Sequence, residues 1–205
     1  MKSFQTERLI IREFKPDDLG EIYRILDVEL KFNLTNNDVS SISDRKNWLD
    51  WTIKGYEQNR MHFSPPYGYN AMILKENMQL IGTCGFIPLL APLGLIPYYR
   101  YMADVKDTEL NYPEIGLSMA VSPHYHCRGF AYEAASAFIT LAFAKLKLSR
   151  VITITSKHNN PSIAVMKRLG MRVESLPSHE WMQVVGILEN TNGAVSADSG
   201  KTKDK

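Results

Sequence analysis

Residues 114–148 combine two hydrophobic periods of different length, and this constrains the fold more than any other part of the 205-residue sequence. Over residues 114–121, apolar side chains alternate with small or polar ones, which is typical of a β-strand with one buried face. A polar turn follows, after which apolar residues recur every three or four positions, at Ala131, Ala135, Phe138, Ala142 and Leu146. That spacing predicts an amphipathic helix of about four or five turns. A strand that leads directly into a helix indicates the α/β class.

The rest of the chain adds strands and helices on both sides of this unit. Alternating or β-branched apolar runs predict strands at residues 6–12, 69–74, 80–87, 151–155, 171–176 and 180–189. Helical spacing or helix-start signals occur after Pro16, over residues 44–56 and after Asn159. No linker or internal repeat interrupts this order. We therefore expect one α/β domain with a mixed sheet over residues 1–190.

Two segments do not follow these patterns. Residues 88–113 hold four prolines and a cluster of tyrosines, so we expect a long loop or insertion before the strand that starts at Glu114. Such a segment is either an ordered excursion that packs its own apolar residues, or a substrate lid or dimer contact. Residues 191–205 are rich in Ser, Gly, Asp and Lys and have no apolar period, which predicts a disordered tail.

Composition excludes several classes of protein. The sequence has 24 Lys and Arg against 22 Asp and Glu, a net charge of +2, and 44% of its residues are hydrophobic. A disordered chain combines low hydrophobicity with high net charge, and a nucleic-acid-binding protein usually carries a basic surplus. Neither description fits this chain, so we expect a folded domain without a nucleic-acid partner.

Cysteine content and hydropathy narrow the class further. Cys84 and Cys127 allow at most one disulfide, which excludes a disulfide-stapled secreted scaffold. The sequence lacks both a signal-peptide core and the ~20 apolar residues that a membrane span needs. His124, His126 and Cys127 are close in sequence but have no partner cluster, so we expect no metal site. These features predict a cytoplasmic protein without a membrane partner.

The turn between the strand and the helix, residues 126–131 with the sequence HCRGFA, is the main candidate for a ligand site. The first backbone N–H groups of a helix have no partner within the helix, and its dipole is positive there, so such a turn favours phosphate or pyrophosphate. Gly129 allows close approach of the backbone, and Arg128 adds positive charge. The turn matches neither a Walker A loop nor a dinucleotide-binding fingerprint.

Several motifs, in the same order along about residues 5–189, resemble those of the GNAT acetyltransferase superfamily. Within that superfamily they are similar to the Rim-type N-terminal acetyltransferases of ribosomal proteins. The turn is similar to the family's pyrophosphate loop, Gln/Arg-x-x-Gly-x-Gly/Ala. The other similar motifs are TERLIIR at 6–12, IGTCG at 81–85, AYEA at 131–134, NNPS at 159–162 and KRLGM at 167–171. The resemblance implies a single-domain GNAT fold with a mostly antiparallel sheet flanked by helices. The branch is also compatible with a homodimer.

The resemblance further implies direct transfer of an acetyl group from acetyl-CoA to a primary amine, either a protein N-terminus or a small amine. Backbone N–H groups at Ala120 and Val121 would then receive the thioester oxygen, and Asn159 would either contact the pantetheine arm or merely cap the helix that follows it. The implied pyrophosphate-binding residues are His126, Cys127, Arg128, Gly129, Phe130 and Ala131. Since His126, Cys127 and Met166 depart from common family choices, a non-catalytic CoA-binding or partner-binding domain is the alternative.

Two residues are candidates for proton transfer. Glu114 shares a strand face with Gly116, Ser118 and Ala120, whose small side chains would leave room for a substrate. The alternatives are Glu109, a chain of waters, or a merely solvated carboxylate at position 114. Ser162 offers a hydroxyl for the departing thiolate, because the residue that matches the family's usual tyrosine is Met166; its other reading is helix capping.

Overall fold

A computed structural model describes residues 3–31, 41–102, 112–176, 180 and 182–191. Within these ranges one sheet has the strand order β1-β2-β3-β4-β5-β6-β8-β7. Its strands are β1 (Ser3–Gln5), β2 (Leu9–Arg12), β3 (Gly68–Leu74), β4 (Leu80–Ala91), β5 (Tyr112–Val121), β6 (Arg150–Thr155), β7 (Arg172–Ser175) and β8 (Val184–Glu189). Neighbouring strands pair antiparallel except β5 and β6, which are parallel. The expected mixed, mostly antiparallel sheet is therefore confirmed.

The described helices lie on both faces of this sheet. They are α1 (Leu19–Tyr23), α2 (Ile42–Met61), α3 (Pro97–Met102), α4 (Phe130–Thr140) and α5 (Asn160–Arg168). A 3₁₀ turn, Pro16–Asp18, precedes α1, while π-helical segments, Arg24–Glu29 and Leu141–Lys145, continue α1 and α4. The Ser41 hydroxyl accepts a hydrogen bond from the Asp44 N–H (3.1 Å), and the Asp44 carboxylate accepts from the Ser41 N–H (3.0 Å), which fixes the start of α2.

The segment at 88–113 differs from the sequence expectation. Residues 88–91 extend β4, where Ala91 pairs with Tyr112 of β5, and residues 97–102 form α3. Pro88 is tolerated because it opposes Ile115 at a non-hydrogen-bonded position of the ladder and lies beyond Gly68, where β3 begins. The prediction of an irregular segment is therefore wrong at both ends. Residues 103–111, which include Glu109, and the tail at 192–205 lie outside the described residues.

Alternation along the strands sends side chains into separate apolar clusters. On one face, α4 and α5 pack Phe138 and Met166 against Phe86 and Leu117. On the other face, α1 and α2 cover β2 to β4, while α3 packs Tyr99 against residues of β6 and β8 such as Ile152. The middle strand β5 therefore lies between two groups of helices on this second face.

β5 and β6 diverge soon after they meet. Gly116 and Ile152 are their recorded ladder pair, and the Thr153 hydroxyl donates a hydrogen bond to the Leu117 carbonyl oxygen at 3.0 Å. Beyond Leu117 no further ladder pair joins the described residues of these two strands, which leaves a gap in the pairing toward their carboxyl ends. We call this gap between β5 and β6 the wedge.

Candidate functional site

The loop after β5 has the geometry of an anion-binding turn. Gly129 caps α4 with φ 83°, a left-handed conformation that favours glycine, and α4 begins at Phe130. The backbone N–H groups of the first turn of α4 therefore face the space above the loop. His126 Nε2 lies 2.8 Å from the Val121 carbonyl oxygen, which ties the loop to the end of β5. Exposed Cys127 also has positive φ, 57°, an uncommon conformation for a cysteine.

Three arginines surround this loop. Arg8 Nη1 donates a hydrogen bond to the Arg128 carbonyl oxygen at 2.9 Å. A Cβ atom at Gly129 would lie 3.4 Å from Arg8 Nη2 and 3.8 Å from Arg168 Nη1. Of these three arginines, only Arg128 is predicted from the sequence to lie at the loop. Arg8 and Arg168 belong to the TERLIIR and KRLGM motifs, but nothing in their spacing shows that these two motifs meet at the loop.

Glu133, in the first turns of α4, holds Arg8 in place. Its Oε2 accepts from Arg8 Nε at 2.7 Å, and its Oε1 accepts from the Arg8 backbone N–H at 2.8 Å and from the Thr6 hydroxyl at 2.5 Å. Burial disfavours the charged carboxylate, but these hydrogen bonds and the Arg8 charge prevail and lower the pKa of Glu133. Glu133 thus ties the N-terminal hairpin of β1 and β2 to the start of α4.

The ladder shows which backbone donors of β5 face the wedge. The Ser122 N–H donates to the Ile81 carbonyl oxygen of β4 at 2.8 Å, whereas the Leu117 carbonyl accepts from Thr153 of β6. Backbone groups of successive residues point to opposite neighbours, so the Ala120 N–H lies in the ladder with β4. Val121 and Met119 point toward the wedge. The expected donor pair is therefore revised, with Met119 taking the place of Ala120.

The small residues of β5 line the second face only in part. A Cβ at Gly116 would lie 2.9 Å from Ile87 Cγ1, so the Ile87 side chain fills that space. Ser118 and Ala120 do border a cavity of about 10 Å³, whose other lining residues are Leu26, Arg45, Trp48, Tyr69 and Thr83. The open space on this strand face thus lies toward the carboxyl end of β5, away from Glu114, and it has room for about one water molecule.

Glu114 is held in an ion pair at the other end of that strand face. Its Oε1 accepts from Arg150 Nε at 2.6 Å and from the Tyr99 hydroxyl at 2.9 Å, and 6% of its side chain is exposed. Burial opposes the charge on Arg150, but the Glu114 carboxylate raises the Arg150 pKa above its usual value. Burial and the same carboxylate also raise the pKa of Tyr99. Glu114 is therefore not a solvated strand-end carboxylate.

α5 borders the wedge from the side of β6. Asn159 caps this helix, because its Oδ1 accepts from the Ser162 N–H at 3.2 Å, while its Nδ2 donates to the Thr155 hydroxyl at 3.0 Å. The capping reading of Asn159 is thus confirmed, and its exposed position leaves a contact with a ligand open. Ser162 is half-buried in the first turn. Met166 is fully buried in the core and does not face the wedge.

A second cavity, of about 310 Å³, lies where the C-terminal half of α2 meets the start of β3. Its lining residues include Tyr56, Arg60 and Asn70 but none from the loop after β5. Among the residues that the structure describes, no group of three or more His, Cys, Asp or Glu side chains is arranged to hold a metal ion. Within the same ranges, no helix is long and apolar enough to cross a bilayer.

Comparison with known proteins matches this geometry to a family. A family model described as the acetyltransferase (GNAT) domain matches residues 8–172. An uncharacterised N-acetyltransferase from Bacillus subtilis is 30% identical over 169 residues, which cover 82% of each chain.

Solved structures show the same fold at lower identity. A GNAT-family acetyltransferase from Bacillus anthracis has a TM-score of 0.65 at 19% identity, covering 92% of this chain and 98% of that one. Ribosomal-protein-S5-alanine acetyltransferase from Vibrio fischeri has a TM-score of 0.65 at 15% identity, covering 94% and 98%. With the family model spanning most of the sequence and a B. subtilis N-acetyltransferase matching over the same length, this chain belongs to the GNAT family of N-acetyltransferases.

Proposed function

We propose that this protein transfers an acetyl group directly from acetyl-CoA to a primary amine, of either a protein N-terminus or a small molecule, in a ternary complex. The observation that carries the proposal is the junction of two features: an arginine-lined helix N-terminus and an open wedge between β5 and β6. The first suits a pyrophosphate, and the second admits a narrow, extended arm beside free backbone donors. The residues present therefore fit acetyl-CoA.

Backbone and side-chain groups of the loop make different contributions to binding the pyrophosphate. The backbone N–H groups of residues 127–131 surround the pyrophosphate position, and the guanidinium groups of Arg8, Arg128 and Arg168 supply the charge. Because the net charge of the whole chain is only +2, this local cluster must provide most of the attraction. His126 fixes the loop through Val121, and Phe130 supports it because the Arg8 guanidinium lies 4.4 Å from the Phe130 ring centre.

Acetyl-CoA supplies the activated thioester, and the protein stabilises the charge that develops on its oxygen. The N–H groups of Met119 and Val121, which point into the wedge, serve as the donors. Asn159 and Ser162 stand on the opposite side of the wedge, at the start of α5. There the Ser162 hydroxyl is placed to donate a hydrogen bond to the departing thiolate.

Glu114 serves as the proton acceptor through water rather than by direct contact. Ser118 lies four positions further along the strand, about 13 Å away at the usual rise per residue. In this proposal Arg150 holds the Glu114 carboxylate in place, and a chain of water molecules carries the proton from the amine to it. This arrangement combines two of the proton acceptors considered from the sequence, Glu114 and a chain of waters. The third candidate, Glu109, lies outside the described residues.

A mass-shift assay tests the proposal. The protein is incubated with acetyl-CoA and a panel of peptides and small amines, and products are read as a gain of one acetyl group. We expect acetylation of at least one member and release of free CoA. Tight acetyl-CoA binding without turnover on any amine would instead favour the non-catalytic CoA-binding alternative.

A further inference from the structure

Arg45 is almost fully buried, yet one of its nitrogens has no hydrogen-bond partner within the described part of the chain. Its Nε and Nη2 donate to the two carboxylate oxygens of Asp27 at 2.7 and 2.9 Å. The two side chains are 2% and 0% exposed. Nη1, the remaining nitrogen, is buried and has no partner among the described residues. An orphaned charged donor in a protein interior is costly, so it calls for an explanation.

The cavity beside Arg45 offers a place for the missing acceptor. Arg45 lines it together with Trp48, whose ring centre lies 4.8 Å from the guanidinium carbon, and with Ser118 and Ala120 of β5. The cavity volume of about 10 Å³ holds one group the size of a water molecule. It therefore takes a single oxygen atom and not a whole side chain.

The charge of the surroundings selects a neutral oxygen. Asp27 already neutralises Arg45, and the other lining residues carry no charge. A carboxylate would add an unbalanced negative charge and a second oxygen to a space that fits one. A carbonyl oxygen satisfies Nη1 and leaves the site neutral.

The position of the cavity fixes where that oxygen sits on the acceptor. Ser118 and Ala120 alternate along β5 with Met119 and Val121, the residues whose N–H groups face the thioester in the proposed mechanism. An acceptor whose amine attacks beside these N–H groups can therefore reach the cavity only with an atom that is a few bonds from its nitrogen. An oxygen on the carbon next to the amine-bearing carbon meets this condition.

We propose that Arg45 binds the carbonyl oxygen adjacent to the reacting amine, so that the preferred acceptor is an α-amino amide. The N-terminus of a peptide and a small amino-acid amide share this chemistry. The inference rests on the proposed acetyltransferase function and narrows its acceptor class. Asp27 positions the Arg45 guanidinium so that Nη1 is directed away from their ion pair.

The test compares two acceptors of the same shape, one with a carboxamide group and one with an isopropyl group in its place. Alaninamide is compared with 3-methyl-2-butylamine, in which methyl groups replace the carbonyl oxygen and the amide nitrogen. The readout is the ratio of kcat/KM for the two acceptors in wild type and in Arg45→Lys, which keeps the charge but loses the planar fork. Since the two amines differ in basicity, the comparison of ratios between variants cancels that difference. We expect Arg45→Lys to lower the ratio about 10-fold or more.

Arg12→Lys is the matched control, because Arg12 makes a similar two-point pair with Asp18 (2.6 and 2.7 Å) outside the cavity. Its ratio should stay within about twofold of wild type. An unchanged ratio in Arg45→Lys would show that the cavity holds only water and would overturn the inference. If Arg45→Lys does not fold, the wild-type protein alone provides the test. Equal kcat/KM values for the two amines, corrected for the unprotonated fraction of each, would also overturn the inference.

Two further acceptors show whether the oxygen that Arg45 binds belongs to a carboxylate, a small amide or a peptide. Free alanine should react more slowly than alaninamide, and the reverse order would assign a carboxylate to the cavity, against the proposal. An alanine-initiated tripeptide that reacts faster than alaninamide would support the same carbonyl contact and identify a peptide N-terminus as the acceptor. Acetylation of no amine in any arm would defeat the proposed function itself, an outcome distinct from equal use of the amide and the alkylamine.

Discussion

The Arg8 guanidinium lies against Gly129, the glycine with left-handed backbone conformation that caps the start of α4. Arg8 also donates to the carbonyl of Arg128, the residue before that glycine. The loop is therefore held from outside by the N-terminal hairpin as well as by its own backbone. A side chain at position 129 would disturb both the backbone of the loop and its contact with Arg8, since a Cβ would lie 3.4 Å from Arg8 Nη2.

Gly129→Glu should weaken acetyl-CoA binding at least about 10-fold, because it places bulk and negative charge where the pyrophosphate is expected. Isothermal titration with acetyl-CoA measures the effect. Gly170→Glu is the matched control: Gly170 also has positive φ, 77°, but ends α5 with nothing within 4 Å of its Cβ position. Both variants carry the same backbone strain, of about 1 kcal/mol, so unaltered acetyl-CoA affinity in Gly129→Glu would rule out the phosphate role.

Arg168→Ala should reduce acetyl-CoA affinity several-fold at low salt, and the loss should shrink as ionic strength rises, because exposed charges are screened. Arg168 also lies 4.1 Å from the Tyr132 ring centre, so its direction is partly set by that contact. Arg172→Ala provides the comparison, since Arg172 is 60% exposed and pairs with Glu174 on β7. Equal losses in the two variants would indicate a general effect of charge instead of a local contact.

Glu114→Gln should lower kcat, mainly at low pH, and leave acetyl-CoA affinity nearly intact. Without the base, the reaction depends on amine that is already deprotonated, and that fraction falls as the pH falls. Glu174→Gln is a suitable control because Glu174 is also mostly shielded, with 12% of its side chain exposed, and is paired with an arginine at 2.7 Å. The pH–rate profiles of the three proteins are compared, and a wild-type profile for Glu114→Gln would remove Glu114 from the mechanism.

Glu133→Gln should destabilise the fold at neutral pH by about 1 kcal/mol through its bonds to Thr6 and Arg8. The folded state lowers the pKa of Glu133, so its contribution is present above the unfolded-state pKa and is lost as the pH falls through the folded-state pKa. Urea unfolding at pH 7 and at about pH 3 should therefore show a difference between wild type and variant only at pH 7.

Glu21→Gln serves as the control for that measurement. Glu21 pairs with Arg24 on the surface, where its side chain is 55% exposed, so its removal should change stability little at either pH. A Glu133→Gln difference that persists unchanged at about pH 3 would contradict the proposed ionic contribution.

Local chemistry made most elements predictable. The alternation at 114–121, the helical spacing after residue 130 and the Asn159 cap all rest on contacts within a few residues, and each is confirmed. The loop was predictable for the same reason, since a helix N-terminus with Gly129 and Arg128 is a local feature.

Features that depend on distant partners were not predictable in this way. The ion pair of Arg150 with Glu114 joins two strands, and the residues around Arg45 come from five different elements. Pro88 reads locally as an end to a strand, yet it is accepted in β4 because the neighbouring strand β3 has already ended. The spacing of residues along the sequence carries no information on such long-range contacts.

The parallel pairing of β5 with β6 at Gly116 and Ile152 divides the sheet into two unequal parts, β1 to β5 and β6 to β8. Amide hydrogens in the middle of an eight-stranded sheet ordinarily exchange with solvent last, but those of Met119 and Val121 face the gap and should exchange early. Occupation of the wedge would slow that exchange and link the opening of one half to that of the other. The protein's resistance to unfolding is thus expected to follow the supply of its cosubstrate.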